Sequence, residues 1–265
     1  MRQLVGSASW GAFALVNEDP DVAATDLIPR CVRDAVPWIS VAQMREVDRA
    51  AIAIGLSLRR MMESAGAAVA WMACAMLGGD VTGRRIAVLA GRAGNGGGGL
   101  VAARRMIGWG ADVEVRTAGT RDELALVPLE QLRLLERMHA SVSVGASGLS
   151  SAELFVDAIL GYSQQGNPHG IAAELIAAMD GARVLSLDVP SGLELEHETI
   201  GSPAVCAEAT VTLALPKAAL RLETALPLVG ELYLADISIP AVVYEGLGIP
   251  YRSPFSRGPI VKLDA

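Results

Sequence analysis

From residue 85 to residue 236 the chain alternates short apolar runs with longer segments of helical spacing. The strand-like runs fall at 85–90, 112–116, 141–144, 153–157, 184–188, 209–213 and 231–236. Runs this short suit buried strands better than helices. Helical segments at about 99–109, 123–138 and 171–179 lie between them. Such alternation produces right-handed crossovers and a parallel sheet covered on both faces. Open sheets of this kind take small molecules outside the carboxyl ends of their strands, so those ends are where a site is expected.

Two helices precede the first strand. Ser40 and Gln43 have capping-box spacing, and Val41, Met44, Val47 and Ala51 keep a helical stripe that Gly55 ends. Leu58, Met61, Met62, Ala65, Val69 and Met72 form the second stripe, stopped by Gly78 and Gly79. The predicted fold class is α/β: a Rossmann-like three-layer α/β/α sandwich with a mostly parallel sheet that 231–236 closes, preceded by two N-terminal helices. Residues 1–36 show no sustained period and read as an N-terminal extension, partly disordered or wrapping the domain; 37–265 read as one domain.

Hydrophobic residues make up 52% of the chain, enough for a large core. The net charge is −7 and no basic stripe stands out, which argues against a nucleic-acid partner. Cys31, Cys74 and Cys206 are far apart with no C-x-x-C pair, and His139, His169 and His197 show no ligand spacing. Sparse cysteines suit a reducing compartment. No signal-peptide segment is visible, and the longest low-polarity run, 65–79, is too short for a bilayer. The expected location is cytoplasmic, with no membrane partner.

The first strand runs into G-R-A-G-N-G-G-G-G at 91–99. Four consecutive glycines let backbone approach a ligand, and amides before a helix favour anions. No acidic residue follows the next strand at the ribose position, which speaks against a nicotinamide dehydrogenase. Two strands close on carboxylates, Asp157 and Asp188. Asp157 is followed by Gly161, Tyr162 and Ser163 in a polar loop, and Asp188 by a turn carrying Ser191. This constellation admits two chemistries. Paired carboxylates divide acid and base roles when their environments differ. Alternatively, Asn95, Asp157 and Ser191 offer oxygen ligands to a hard cation.

Six segments in order resemble the YjeF N-terminal domain family of NAD(P)H-hydrate epimerases, over about residues 41–240. M-M-E-S-A-G at 61–66 resembles the family's L-M-E-N-A-G, and G-N-G-G-G-G-L-V-A-A-R at 94–104 its N-N-G-G-D-G-L-V-A-A-R. V-D-A-I-L-G at 156–161 resembles V-D-A-L-F-G, and D-V-P-S-G-L at 188–193 resembles D-I-P-S-G-L. T-V-T at 210–212 with Pro216-Lys217 resembles T-V-T-F…P-K, and D-I-S-I-P at 236–240 resembles D-I-G-I-P.

The resemblance implies epimerisation of hydrated NADH and NADPH, damaged cofactors carrying a ring hydroxyl in two epimeric forms. It implies a potassium ion at Asn95, Asp157 and Ser191. It implies contacts to the nucleotide-like substrate from Gly94, Asn95, Gly96, Gly97, Gly98, Gly161, Tyr162, Ser163 and Asp188, with Asp188 as the catalytic acid/base. A separate NAD(P)H-hydrate dehydratase acting downstream and a homodimer are the expected partners. The chain departs from the pattern at Gly94, at Gly98 where the family has Asp, at Ser64, and at Tyr162 where a Thr is usual. Those departures keep open a divergent isomerase, lyase or cyclase on another small molecule, and a non-catalytic ligand-binding or scaffold module. Lys217 is placed after a strand, either reaching the pocket or on the surface.

Overall fold

The structure is a computed structural model and describes residues 23–264. In chain order its strands are β1 (Arg30–Val32), β2 (Arg85–Ala90), β3 (Asp112–Thr117), β4 (Ser141–Val144), β5 (Leu154–Ala158), β6 (Val184–Leu187), β7 (Leu193–Glu194), β8 (Thr199–Ile200), β9 (Ala209–Leu213), β10 (Glu231–Ala235) and β11 (Ile260–Asp264). The helices are α1 (Val41–Ala53), α2 (Leu58–Met76), α3 (Gly94–Gly108), α4 (Leu126–Arg137), α5 (Gly170–Ala177), α6 (Leu226–Val229) and α7 (Ala241–Gly246). The main sheet has the order β1-β11-β10-β9-β6-β5-β2-β3-β4. Every pairing from β10 through β4 is parallel, as the alternation predicts.

Strand residues divide between two faces with a period of two. Ile86, Val88 and Ala90 pack with α1–α4, while Ala87 and Leu89 pack with Leu175 and Ile176 of α5. That is the three-layer sandwich. The Ser40–Gln43 capping box forms, with each side chain bonded to the other's backbone N–H. Glu63 of α2 receives two bonds from Arg104 Nη2 of α3, at 2.8 and 2.7 Å, and one from Gln131 of α4. It braces three helices rather than the glycine segment.

The sheet does not end at 231–236. β11 pairs antiparallel with β10, and β1 pairs parallel with β11. Residues 30–32 therefore belong to the sheet, and the domain begins ahead of residue 37. Residues 1–22 of the expected extension lie outside the described residues.

The glycine run is also placed differently from expectation. It is no open loop: α3 begins at Gly94 and takes in every glycine of the run except Gly91. Close packing, not helix propensity, sets their identity. A Cβ on Gly96 would lie 1.8 Å from the Gly91 carbonyl oxygen, and one on Gly98 would lie 2.8 Å from Leu187 Cδ2. Glycine costs up to about 1 kcal/mol in a helix interior, and at Gly96 and Gly99, where an added Cβ would lie 2.5 Å or less from Gly91 or Ala158, no side chain fits.

Candidate active site

The chain leaves β2 outward to β3 and β4, then returns to β5 on the other side of β2. The two connections leave in opposite directions there, the arrangement that opens a ligand-binding crevice. A cavity of about 460 Å³ lies at that end of the sheet. Asp188, Asn95, Gly94, Gly161, Tyr162 and Ser163, all expected in the site, line it. Gly96, Gly97 and Gly98, also expected to touch substrate, do not. Gly96 abuts Gly91, Gly97 faces Val127 and Pro128, and Gly98 faces Leu187 and Ala65. A second cavity of about 330 Å³ shares Arg92, Ile159, Leu160 and Gln164 with the first.

Asp188 follows β6 in the left-handed region, at φ 70°, an uncommon conformation for a non-glycine residue that clusters at functional sites. Its backbone N–H donates to the Val211 carbonyl at 2.7 Å. Lys217 Nζ donates to its Oδ1 at 2.5 Å, and the Tyr162 backbone N–H donates to its Oδ2 at 3.0 Å. Lys217 is 1% exposed, so it is a buried cavity residue and no surface lysine. Its remaining donors reach Thr212 Oγ1 and the Leu213 carbonyl.

Asp157 takes another position. It shares the α5-side face with Phe155, is fully buried and lies beneath the cavity wall instead of lining it. Its partners are all neutral: Ser191 Oγ at 2.6 Å, Ser191 N–H at 2.8 Å, Ser186 Oγ at 2.9 Å and Ile159 N–H at 3.2 Å. Desolvation pushes its carboxyl above the ordinary range, opposed by those bonds. Asp157 and Asp188 are therefore not an acid–base pair across one substrate.

Asn95 Nδ2 donates to the carbonyls of Leu160 and Leu187, and the Leu160 N–H donates to Ser191 Oγ. Asn95, Asp157, Ser191 and the Leu160 carbonyl thus converge through one network. No group of three or more His, Cys, Asp or Glu side chains is arranged around a metal among the described residues. This set is different in kind. It is oxygen-rich and centred on a buried carboxylate with no cationic partner in its hydrogen-bond shell. Those features suit a weakly hydrated monovalent cation.

Tyr162 replaces the small residue expected after Gly161. Its phenol donates to Asp48 Oδ2 of α1 at 2.5 Å, and Lys217 Nζ lies 5.5 Å from its ring centre. Asp48 lines the cavity and was missed from the sequence. The available signal was its place four residues after Met44, beside a helix stripe that is otherwise apolar.

Fold and site together define an α/β domain of Rossmann-like architecture with a small-molecule site at its topological switch point. The chain belongs to the family described as YjeF-related protein N-terminus, whose model matches residues 58–219. It is 41% identical to an NAD(P)H-hydrate epimerase of Dehalogenimonas lykanthroporepellens over 87% of this chain and 94% of that protein. It is 33% identical to an NAD(P)H-hydrate epimerase of Truepera radiovictrix over 82% of this chain and 97% of that protein. A bifunctional NAD(P)H-hydrate repair enzyme Nnr of Thermofilum pendens is 34% identical over 77% of this chain, which spans 41% of that longer protein. The crystal structure of yeast ynu0 superposes with a TM-score of 0.71 at 23% identity, covering 86% of this chain and all of that one, and so shares the fold.

Proposed function

We propose that the chain is an NAD(P)H-hydrate epimerase. The observation that carries this reading is Asp188, held in a left-handed conformation at the cavity wall beside Lys217, in a chain whose near-full-length relatives bear that name. The substrate chemistry follows from the cofactor. A dihydronicotinamide ring contains an enamine, and hydration of an enamine leaves a hydroxyl on the carbon next to nitrogen. Inverting that carbon requires proton transfer at the hydroxyl oxygen, which is work for a positioned carboxylate. Asp188 acts there as acid/base, oriented by Lys217 and by the Tyr162 N–H. The adjoining second cavity supplies room for the rest of a dinucleotide, with Arg92 on the wall common to both.

Asn95, Asp157 and Ser191 would hold a potassium ion, whose charge would balance the buried Asp157 carboxylate and fix the strand ends. Gly94, Asn95, Gly161 and Ser163 shape the substrate side. Gly98 lies off the cavity, so the missing loop Asp takes no catalytic group from it. A downstream dehydratase that consumes one epimer, cytoplasmic action where the cofactors circulate, and a homodimer complete the reading. Among the described residues no helix is long and apolar enough to cross a membrane.

The test mixes purified protein with both hydrate epimers and an excess of dehydratase with its nucleotide. Disappearance of the unreactive epimer accelerates over a no-protein control, and Asp188→Asn abolishes the acceleration. A wild-type rate equal to the control would overturn the assignment.

A further inference from the structure

Two carboxylates line the main cavity, Asp188 at the end of β6 and Asp48 on α1. Tyr162 connects them. Its backbone N–H bonds Asp188 Oδ2 and its phenol bonds Asp48 Oδ2, so one tyrosine links the two carboxylates that line the same space. Their surroundings differ. Asp188 faces the Lys217 ammonium, whereas Asp48 faces the neutral phenol. Asp48 also precedes the 58–219 segment that the family model matches.

The inference rests on the epimerase reading. Inversion of a carbon bearing hydroxyl and ring nitrogen is balanced without any redox partner. A carboxyl on one face gives its proton to the leaving oxygen; the carbon–oxygen bond breaks, its electron pair goes to oxygen, and water departs. The nitrogen lone pair forms a carbon–nitrogen double bond as this happens. Water then adds to the opposite face, the double-bond pair returns to nitrogen, and the incoming water passes one proton to a carboxylate there. One proton carrier is needed on each face. Inverting glycosidases meet a comparable demand with two carboxyls about 6.5–9.5 Å apart.

We propose that Asp48 is a second acid–base catalyst of this site, serving the ring face opposite to Asp188. Burial raises the Asp48 carboxyl above its ordinary range, against the opposing pull of the Tyr162 hydroxyl and Lys217, which favours a group able to deliver a proton. The Tyr162 phenol is itself pushed well above its usual range by burial and by Asp48, so it stays protonated and steers the carboxyl as a hydrogen-bond donor. Tyr162 is in this respect a positioning residue.

The experiment incubates each purified hydrate epimer with the full chain in ¹⁸O-water and follows both inversion and oxygen exchange, with spontaneous rates subtracted. Wild type inverts both epimers. Asp48→Asn and Asp188→Asn each lower inversion on the order of 100-fold or more with KM little changed. Each variant retains enzyme-dependent oxygen exchange in one epimer, and the two variants retain it in opposite epimers, because each still has the carboxyl of one face. A purely structural role for Asp48 does not produce that reciprocity. Asp48→Ala recovers rate on addition of formate. Inversion by Asp48→Asn within a few-fold of wild type, or exchange kept in the same epimer by both variants, overturns the inference and leaves the epimerase reading intact. Failure of wild type to invert either epimer overturns both.

Discussion

Lys217 Nζ lies 2.5 Å from Asp188 Oδ1, and the two residues are 1% and 3% exposed. Lys217 also reaches Thr212 and Leu213, and Asp188 also accepts from the Tyr162 backbone. A buried pair with its hydrogen-bonding capacity this well filled is costly to halve, because the survivor is an uncompensated charge. Lys217→Met is expected to lower unfolding free energy by roughly 3–5 kcal/mol in urea titration. Adding Asp188→Asn to it should recover a substantial part of that loss. A loss below about 1 kcal/mol for the single variant would mean that water already screens the pair.

Gly98→Asp restores the family's loop carboxylate but not a catalytic group. The new Cβ would meet Leu187 Cδ2 at 2.8 Å, with Ala65 Cβ at 3.7 Å. Overpacking of this kind costs about 1–3 kcal/mol, and a carboxylate desolvated between α2, α3 and β6 adds to it. The urea midpoint should fall and epimerisation should not rise. Faster turnover in this variant would show that residue 98 reaches the substrate.

These outcomes bear on what the sequence discloses. The runs at 85–90, 153–157 and 184–188 were legible as strands because a parallel sheet buried on both faces demands nearly unbroken apolar stretches. β11 was not, since it follows the proline-containing segment 249–259 and pairs antiparallel outside the alternating pattern. The glycines were read as a loop because propensity disfavours glycine in helices, and the tertiary approaches that require them, such as Gly96 to Gly91 and Gly99 to Ala158, are not visible in the sequence. Asp188, Asn95, Tyr162 and Ser163 lie on the cavity wall at the strand ends, where the switch-point rule points. Asp48 lies on a helix that this rule does not inspect, and whether Lys217 was buried or exposed was undecidable from spacing alone.

Potassium should stabilise the fold if Asn95, Asp157 and Ser191 hold it. A ligand at a hundredfold excess over its dissociation constant adds about 2.7 kcal/mol, roughly 5–10 °C in a chain of this size. Thermal unfolding in potassium chloride is expected to exceed that in choline chloride at equal ionic strength. Asp157→Asn should erase the difference, because it removes the carboxylate that the cation balances. Identical midpoints in the two salts for wild type would count against the ion.

Asp48 should cost stability once the pH has risen through its titration. Burial raises its folded-state carboxyl above the ordinary value of 3.8, so between the two values the folded chain binds more protons than the unfolded one. By linkage, stability then falls as pH rises through that window and stays lowered above it. Asp48→Asn cannot ionise and keeps an acceptor for the Tyr162 phenol. The variant should therefore match wild type most closely below pH 3.8 and unfold at a higher temperature than wild type at neutral pH, while losing activity. The direction is opposite to that of a carboxylate held by a salt bridge, whose removal destabilises most at neutral pH. Calorimetry of both proteins from acid to neutral pH separates the two cases. A gap that closes or changes sign with rising pH would show that Asp48 is stabilised in its charged form, and would remove the reason for regarding it as a proton donor.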